Sequence, residues 1–128
     1  MSYHVLIPGA HRICALTKVG DTWEVTCPAV EFLQKQAAVK AYSSMCRGFA
    51  VVLGRYATGG RQAVTSEMFH EADKPNGIWQ FIKGDLRLLC FIDKTDVFIT
   101  DGYVKKSQKA DRVEVGRAVI AKNNYFKT

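Results

Sequence analysis

The apolar and polar positions of this 128-residue chain change their rhythm four times. The first 26 residues read as strands. His4-Val5-Leu6-Ile7 is a short apolar run stopped by Pro8-Gly9, and Ile13-Cys14-Ala15-Leu16 is a second. After a turn at Gly20-Asp21, Trp23 and Val25 alternate with polar neighbours in Thr22–Thr26, the period of a half-buried strand. Pro28 then suits the first turn of a helix, where its missing N–H costs nothing. Tyr42, Met45, Phe49, Val52, Leu53 and Tyr56 recur at steps of three and four, which is one face of a helix. The stretch from Pro28 to Tyr56 is long for one globular helix, so two are expected, with a break near Gln34–Ala37 and an end at Gly59-Gly60.

Residues 61–76 read as polar and irregular, closing in the turn Lys74-Pro75-Asn76-Gly77. Three apolar runs follow at short intervals: Ile78–Ile82, Leu86–Ile92 and Val97–Val104, separated by Lys83-Gly84-Asp85 and Asp93–Asp96. Such spacing predicts an antiparallel meander. Leu86, Leu88 and Cys90 share one face of the middle strand, while Arg87, Leu89 and Phe91 share the other, so Arg87 interrupts an apolar strand. A last helix is expected after Asp111, with Glu114 at capping-box spacing and Val115, Ala118, Val119 and Phe126 turned to the sheet. The order strands, helices, sheet, helix predicts a single α+β domain over residues 1–128 with its helices segregated on one side.

Composition adds limits. Apolar residues make up 48% and charged residues 23%, the balance of a globular protein and not of a disordered or fibrous one. No apolar run is long enough to cross a membrane. The start Met1-Ser2-Tyr3-His4 lacks a basic segment followed by an apolar one, which argues against a secretory signal and for a cytoplasmic protein. Cys14, Cys27, Cys46 and Cys90 form no CxxC pair, so they read as reduced thiols, with neither a zinc site nor another cofactor expected.

Charge then points to one region. The net charge is +6, and residues 83–128 hold ten basic against six acidic groups, while residues 1–82 hold eight against six. Tyr103-Val104-Lys105-Lys106-Ser107-Gln108-Lys109 sets three lysines and an aromatic directly after a strand, and Lys83, Arg87 and Arg112 add cations nearby. If the strands pair in order, one face carries Arg87 and the lysine cluster. Such a face attracts phosphates, and Tyr103 could stack on a base. The bland alternatives are a solvated lysine loop and, for Arg87, a structural ion pair with Asp85, Asp93 or Asp101.

Gly77–Phe81, Gly84–Asp93 and Gly102-Tyr103-Val104-Lys105-Lys106-Ser107-Gln108-Lys109 resemble the RelE/HigB superfamily of bacterial toxins, most closely its phage-derived HigB-like branch. The resemblance is specific over residues 77–114 and topological over the helices. It implies a RelE-like small antiparallel twisted sheet with two N-terminal helices packed on one side and a C-terminal helix. Residues 1–20 extend beyond the usual family start and are expected to add an edge hairpin. The implied function is the toxin of a type II toxin–antitoxin pair, an mRNA endonuclease acting on the ribosome by attack of a ribose 2′-OH on the adjacent phosphate. Its implied partners are a cognate antitoxin, often a helix-turn-helix protein, and the ribosome with its mRNA. Carried over by position, Arg87, Tyr103, Lys105 and Lys106 would be catalytic, and Lys83, Lys109 and Arg112 would bind RNA phosphates, with no metal. The chain departs from the family pattern at Gln80, where Glu is usual, at Asp101, and at Ala110-Asp111 in place of Thr-Pro. His70 lies in the irregular segment and could enter the site. A ParE-like DNA gyrase inhibitor is the alternative from the same fold, and a non-catalytic RNA- or protein-binding prophage remnant is another.

Overall fold

The computed structural model describes residues 2–17, 27–106 and 111–127. Among the described residues, six strands and three helices form an α+β domain. The strands are β1 (Ser2–Ile7), β2 (Ile13–Thr17), β3 (Phe69–Asp73), β4 (Ile78–Lys83), β5 (Leu86–Asp93) and β6 (Asp96–Val104). The helices are α1 (Pro28–Ala37), α2 (Ser43–Gly59) and α3 (Arg112–Lys127), with a short 3₁₀ turn at Gly60–Ala63. The sheet runs β1-β2-β6-β5-β4-β3.

The β4–β6 part is an antiparallel meander, as the spacing of the apolar runs predicts, and β3 adds a fourth antiparallel strand at its edge, where residues 61–76 read as irregular. Its turns are tight. Lys83 pairs with Leu86 across a two-residue loop in which Gly84 takes φ +58°, a left-handed conformation that glycine adopts without a Cβ penalty. The N-terminal hairpin β1–β2 extends the sheet, as expected for residues 1–20, but it corrects the all-antiparallel expectation. β2 runs parallel to β6, with Ile13, Cys14 and Ala15 opposite Val97, Phe98 and Ile99. The dock is held at its entrance by Arg12, which donates from Nε and Nη2 to the two carboxylate oxygens of Asp96 at 3.0 and 2.7 Å. The Arg12 guanidinium holds the Asp96 carboxyl below its ordinary pKa. The strand expected over Thr22–Thr26 and the Gly20-Asp21 turn lie outside the described residues.

The sheet is covered on both faces, which corrects the expectation of helices on one side. α1 and α2 pack on Ile13, Ala15, Phe81, Leu86, Leu88, Cys90, Val97 and Ile99. The apolar stripe of α2 does the covering: Phe49, Val52, Leu53 and Tyr56 are buried, with Tyr42 and Met45 packed at their margin. The break between these helices falls at residues 38–42, just after the expected Gln34–Ala37. On the opposite face α3 lays Val115 and Ala118 over Ile78, Leu89, Phe91 and Phe98. Asp111 caps α3 as expected, its Oδ1 accepting from the backbone N–H groups of Val113 and Glu114 at 3.0 and 3.1 Å. Phe126, expected to face the sheet, is 53% exposed. Tyr125 takes that place, with its ring 4.6 Å from that of Phe98 and its hydroxyl donating to Asp93. Cys14, Cys27 and Cys90 are buried and Cys46 is half-buried, all as free thiols.

β6 contains a bulge. Leu89 faces Asp101, but Cys90 faces Ile99, so Thr100 is the extra residue. Its hydroxyl donates to the Leu89 carbonyl at 3.4 Å. Past the bulge, Gly102 lies on the α1 side, where a Cβ would run into the Phe32 ring. Gly102→Ala is therefore expected to lower stability by about 1–3 kcal/mol in urea unfolding. Phe32→Ala in the same chain should make the two losses less than additive, because the clash goes with the ring.

Candidate functional site

The face under α3 carries, beside its apolar patch, a line of polar side chains. Arg87 on β5 and Tyr103 on β6 are direct register partners. Tyr103 projects to this face because of the Thr100 bulge, and Arg87 because it alternates with Leu86 and Leu88 on β5. The Tyr103 hydroxyl donates to Gln80 Oε1 at 3.2 Å, reaching across β5 to β4. Gln80 Nε2 lies 2.9 Å from His70 Nε2 on the edge strand β3, and His70 Nδ1 lies 2.9 Å from the Ser66 carbonyl. A backbone N–H from Asp111, at the start of α3, also reaches the Tyr103 hydroxyl. The chain thus runs from the cap of α3 across the sheet to the turn before β3.

Burial grades along it. Gln80, Arg87 and Tyr103 are 6%, 9% and 8% exposed, while His70 is open to solvent. Arg87 has no carboxylate within ion-pair distance among the described residues, so the expected alternatives Asp85, Asp93 and Asp101 do not hold it. Its Nη1 instead donates to the carbonyls of Gly84 and Leu86 at 2.6 and 3.0 Å. Those bonds fix the guanidinium against the β4–β5 turn, and no acid among the described residues neutralises its charge, an arrangement suited to an anion. Burial raises the Tyr103 hydroxyl above its ordinary pKa, which keeps it protonated.

Asp101 sits two residues before Tyr103 on the same face, 5% exposed. Burial, and then the nearby Glu114 carboxylate, push its pKa up to about 6. Thr100 and Arg117 act in the opposite sense. The groove beside this line, about 650 Å³, is lined by Ala72 and Asp73 of β3, Asn76 of the following turn, and Arg112, Val115 and Gly116 of α3. No group of three or more His, Cys, Asp or Glu side chains able to hold a metal occurs among the described residues.

Of the residues singled out from sequence, Arg87 and Tyr103 meet, and Arg112 stands at the groove next to the Asp111 cap. Lys105 and Lys106 leave the same end of β6, and the Lys105 N–H donates to the Asp85 carbonyl at 2.7 Å. Lys106 is exposed. Lys109 lies outside the described residues. Lys83 is separated from the others: it alternates with Ile82 on β4, and its side chain lies against Gly48 of α2, on the opposite face. The sequence reading missed Gln80 as the centre of the line and left His70 in an irregular segment. The available signal was the apolar-polar alternation of Phe69-His70-Glu71-Ala72, which β3 follows.

The chain matches none of the known protein-family models and no curated protein.

The raised Asp101 pKa has a sign that can be checked. Its folded value lies above its ordinary one, so between about pH 4 and pH 6 the folded state holds more protons than the unfolded state. Stability is then greatest at the acid end of that window and falls as pH rises through about 6. Asp101→Asn should flatten that slope and add about 1–2 kcal/mol at pH 7.5, read from urea midpoints across the range.

Proposed function

We propose that this chain is the toxin of a type II toxin–antitoxin pair, a RelE/HigB-like endonuclease that cuts mRNA on the ribosome. The observation that carries the reading is the juxtaposition of Arg87, a buried guanidinium with no acid beside it among the described residues, and Tyr103, a hydroxyl kept protonated by burial. Cleavage of RNA by its own 2′-OH needs that pair of services. The 2′-oxygen attacks phosphorus as its proton passes to water, the bond to the 5′-oxygen breaks, and the products are a 2′,3′-cyclic phosphate and a 5′-hydroxyl. Negative charge grows on the non-bridging oxygens, where Arg87 stabilises it. The departing 5′-oxygen takes a proton, which Tyr103 gives and solvent, having received the 2′-proton, restores. Lys105, Lys106 and Arg112 hold the flanking phosphates through charge and counterion release. Lys83 has no part in this arrangement.

The same fold supports the resemblance over residues 77–114. A small sheet carries two N-terminal helices on one face and a C-terminal helix on the other. The antitoxin, on this reading, covers the cationic end of β6 and the groove beside α3, and the protein acts in the cytoplasm.

Expression of the chain alone should arrest growth and translation, with cut sites in mapped cellular mRNA. Tyr103→Phe should slow cleavage by about 10²-fold or more, and Arg87→Ala by about 10²–10³-fold. Circular dichroism is needed to show that each variant is folded. Arrest with intact transcripts and a DNA-damage response would instead identify a gyrase inhibitor. Harmless expression of a folded wild-type chain would overturn both.

A further inference from the structure

The hydrogen-bonded line from Ser66 to Asp111 has a direction, and one group sets it. The Ser66 carbonyl can only accept, so His70 Nδ1 carries the hydrogen. In a neutral imidazole Nε2 is then an acceptor, and the group facing it must be the Gln80 NH₂. That fixes Gln80 Oε1 toward Tyr103, and an amide oxygen can only accept, so the tyrosine hydroxyl points its hydrogen into the sheet. Every donor meets an acceptor, and the proton that the proposed reaction needs is held by Gln80.

Protonation of His70 breaks this order at one contact. Both ring nitrogens of an imidazolium are donors, and Nε2–H cannot face an NH₂ group 2.9 Å away. A half-turn of the Gln80 amide, whose oxygen and nitrogen are nearly the same size, removes the conflict without moving the backbone. Oε1 then accepts from His70, and the NH₂ donates to the Tyr103 oxygen. That oxygen also receives the Asp111 N–H, so its own hydrogen must point elsewhere. We infer that His70 and Gln80 are positioning residues whose protonation state decides whether Tyr103 donates into the sheet or to an oxyanion seated beside Arg87. The inference rests on the reading of Arg87 and Tyr103 as a phosphate site.

The charged surroundings set the coupling. Arg87 faces this line from β5, Asp101 from β6, and Arg112, Glu114 and Arg117 from α3. Asp73 lies on β3 itself and Glu67 in the turn that carries Ser66, while Glu71 pairs with Trp79 on the other face. His70 is solvent-exposed, so protons reach it freely. An oxyanion beside Arg87 adds negative charge to the face, so anion binding and His70 protonation reinforce each other.

Sulfate is a suitable probe because its charge is constant from pH 5 to 8. Nuclear magnetic resonance on the full chain would follow the His70 ring, the Gln80 side-chain NH₂ and the Tyr103 ring carbon bearing the hydroxyl, at constant ionic strength. The three signals should titrate together, and sulfate should bind about tenfold more tightly at the acid end of that titration. His70→Phe should abolish both the Gln80 response and the pH dependence of sulfate binding. Gln80→Met should leave His70 titrating while Tyr103 no longer follows. A Gln80 NH₂ that ignores the His70 titration overturns the inference, and so does absence of sulfate binding at every pH. Joint titration with sulfate bound, but no RNA cut, would remove the endonuclease reading and leave this inference standing.

Discussion

One extra residue in β6 governs what this molecule presents. Side chains alternate across a strand, so a single inserted residue reverses the faces of all that follow. Thr100 is that residue, and its hydroxyl donates to the Leu89 carbonyl. Before it, Val97 and Ile99 face α1 and α2 while Phe98 faces α3. After it, Asp101 and Tyr103 face α3, and Gly102 faces Phe32. A regular strand would bury the Tyr103 ring against α1 and turn Gly102 toward Arg87. The polar line across the sheet would then not exist.

The two faces differ in kind as a result. The α1–α2 side is a continuous apolar core in which Phe69, Phe81 and Tyr56 pack ring against ring. The α3 side is half apolar and half polar, with Leu89, Phe91 and Phe98 at one end and Gln80, Arg87 and Tyr103 at the other. Buried polar groups are tolerable only when their hydrogen bonds are made. Here each has a partner, which is why the line is ordered and why its members constrain one another.

Much of the fold was legible because it is local. The β4–β6 meander follows from alternation and turn chemistry at Lys83-Gly84-Asp85. The α2 stripe follows from its helical period, and the start of α3 follows from Asp111. What was not legible is non-local or weakly patterned. The parallel pairing of β2 with β6 joins residues far apart in sequence, and no local signal marks it. β3 is five residues long and includes His70, Glu71 and Asp73, poor strand formers that the sheet recruits at its edge. The side chosen by α3 depends on a connection outside the described residues. As for the site, Arg87 and Tyr103 were legible from a charge in a central strand and an aromatic at its neighbour's exit. Gln80 was visible only as a missing carboxylate. Its role depends on two neighbours, one of them on that unpredicted strand.

The Arg12–Asp96 clasp joins residues 84 positions apart in sequence. A chain emerging from the ribosome completes its first hairpin early, but the strand against which that hairpin docks is the last of the six. The two helices reach Ile13 and Ala15 from the face of the sheet, but the hydrogen-bonding edge of β2 stays open until β6 takes its place between β2 and β5. Loops that close over such a distance form slowly, and contacts of this kind set folding rates more than stabilities. Assembly of this sheet thus requires β6, whichever of the other elements form first. An incomplete chain holds the hairpin and the first two helices but neither the centre of the sheet nor the Arg87–Tyr103 pair.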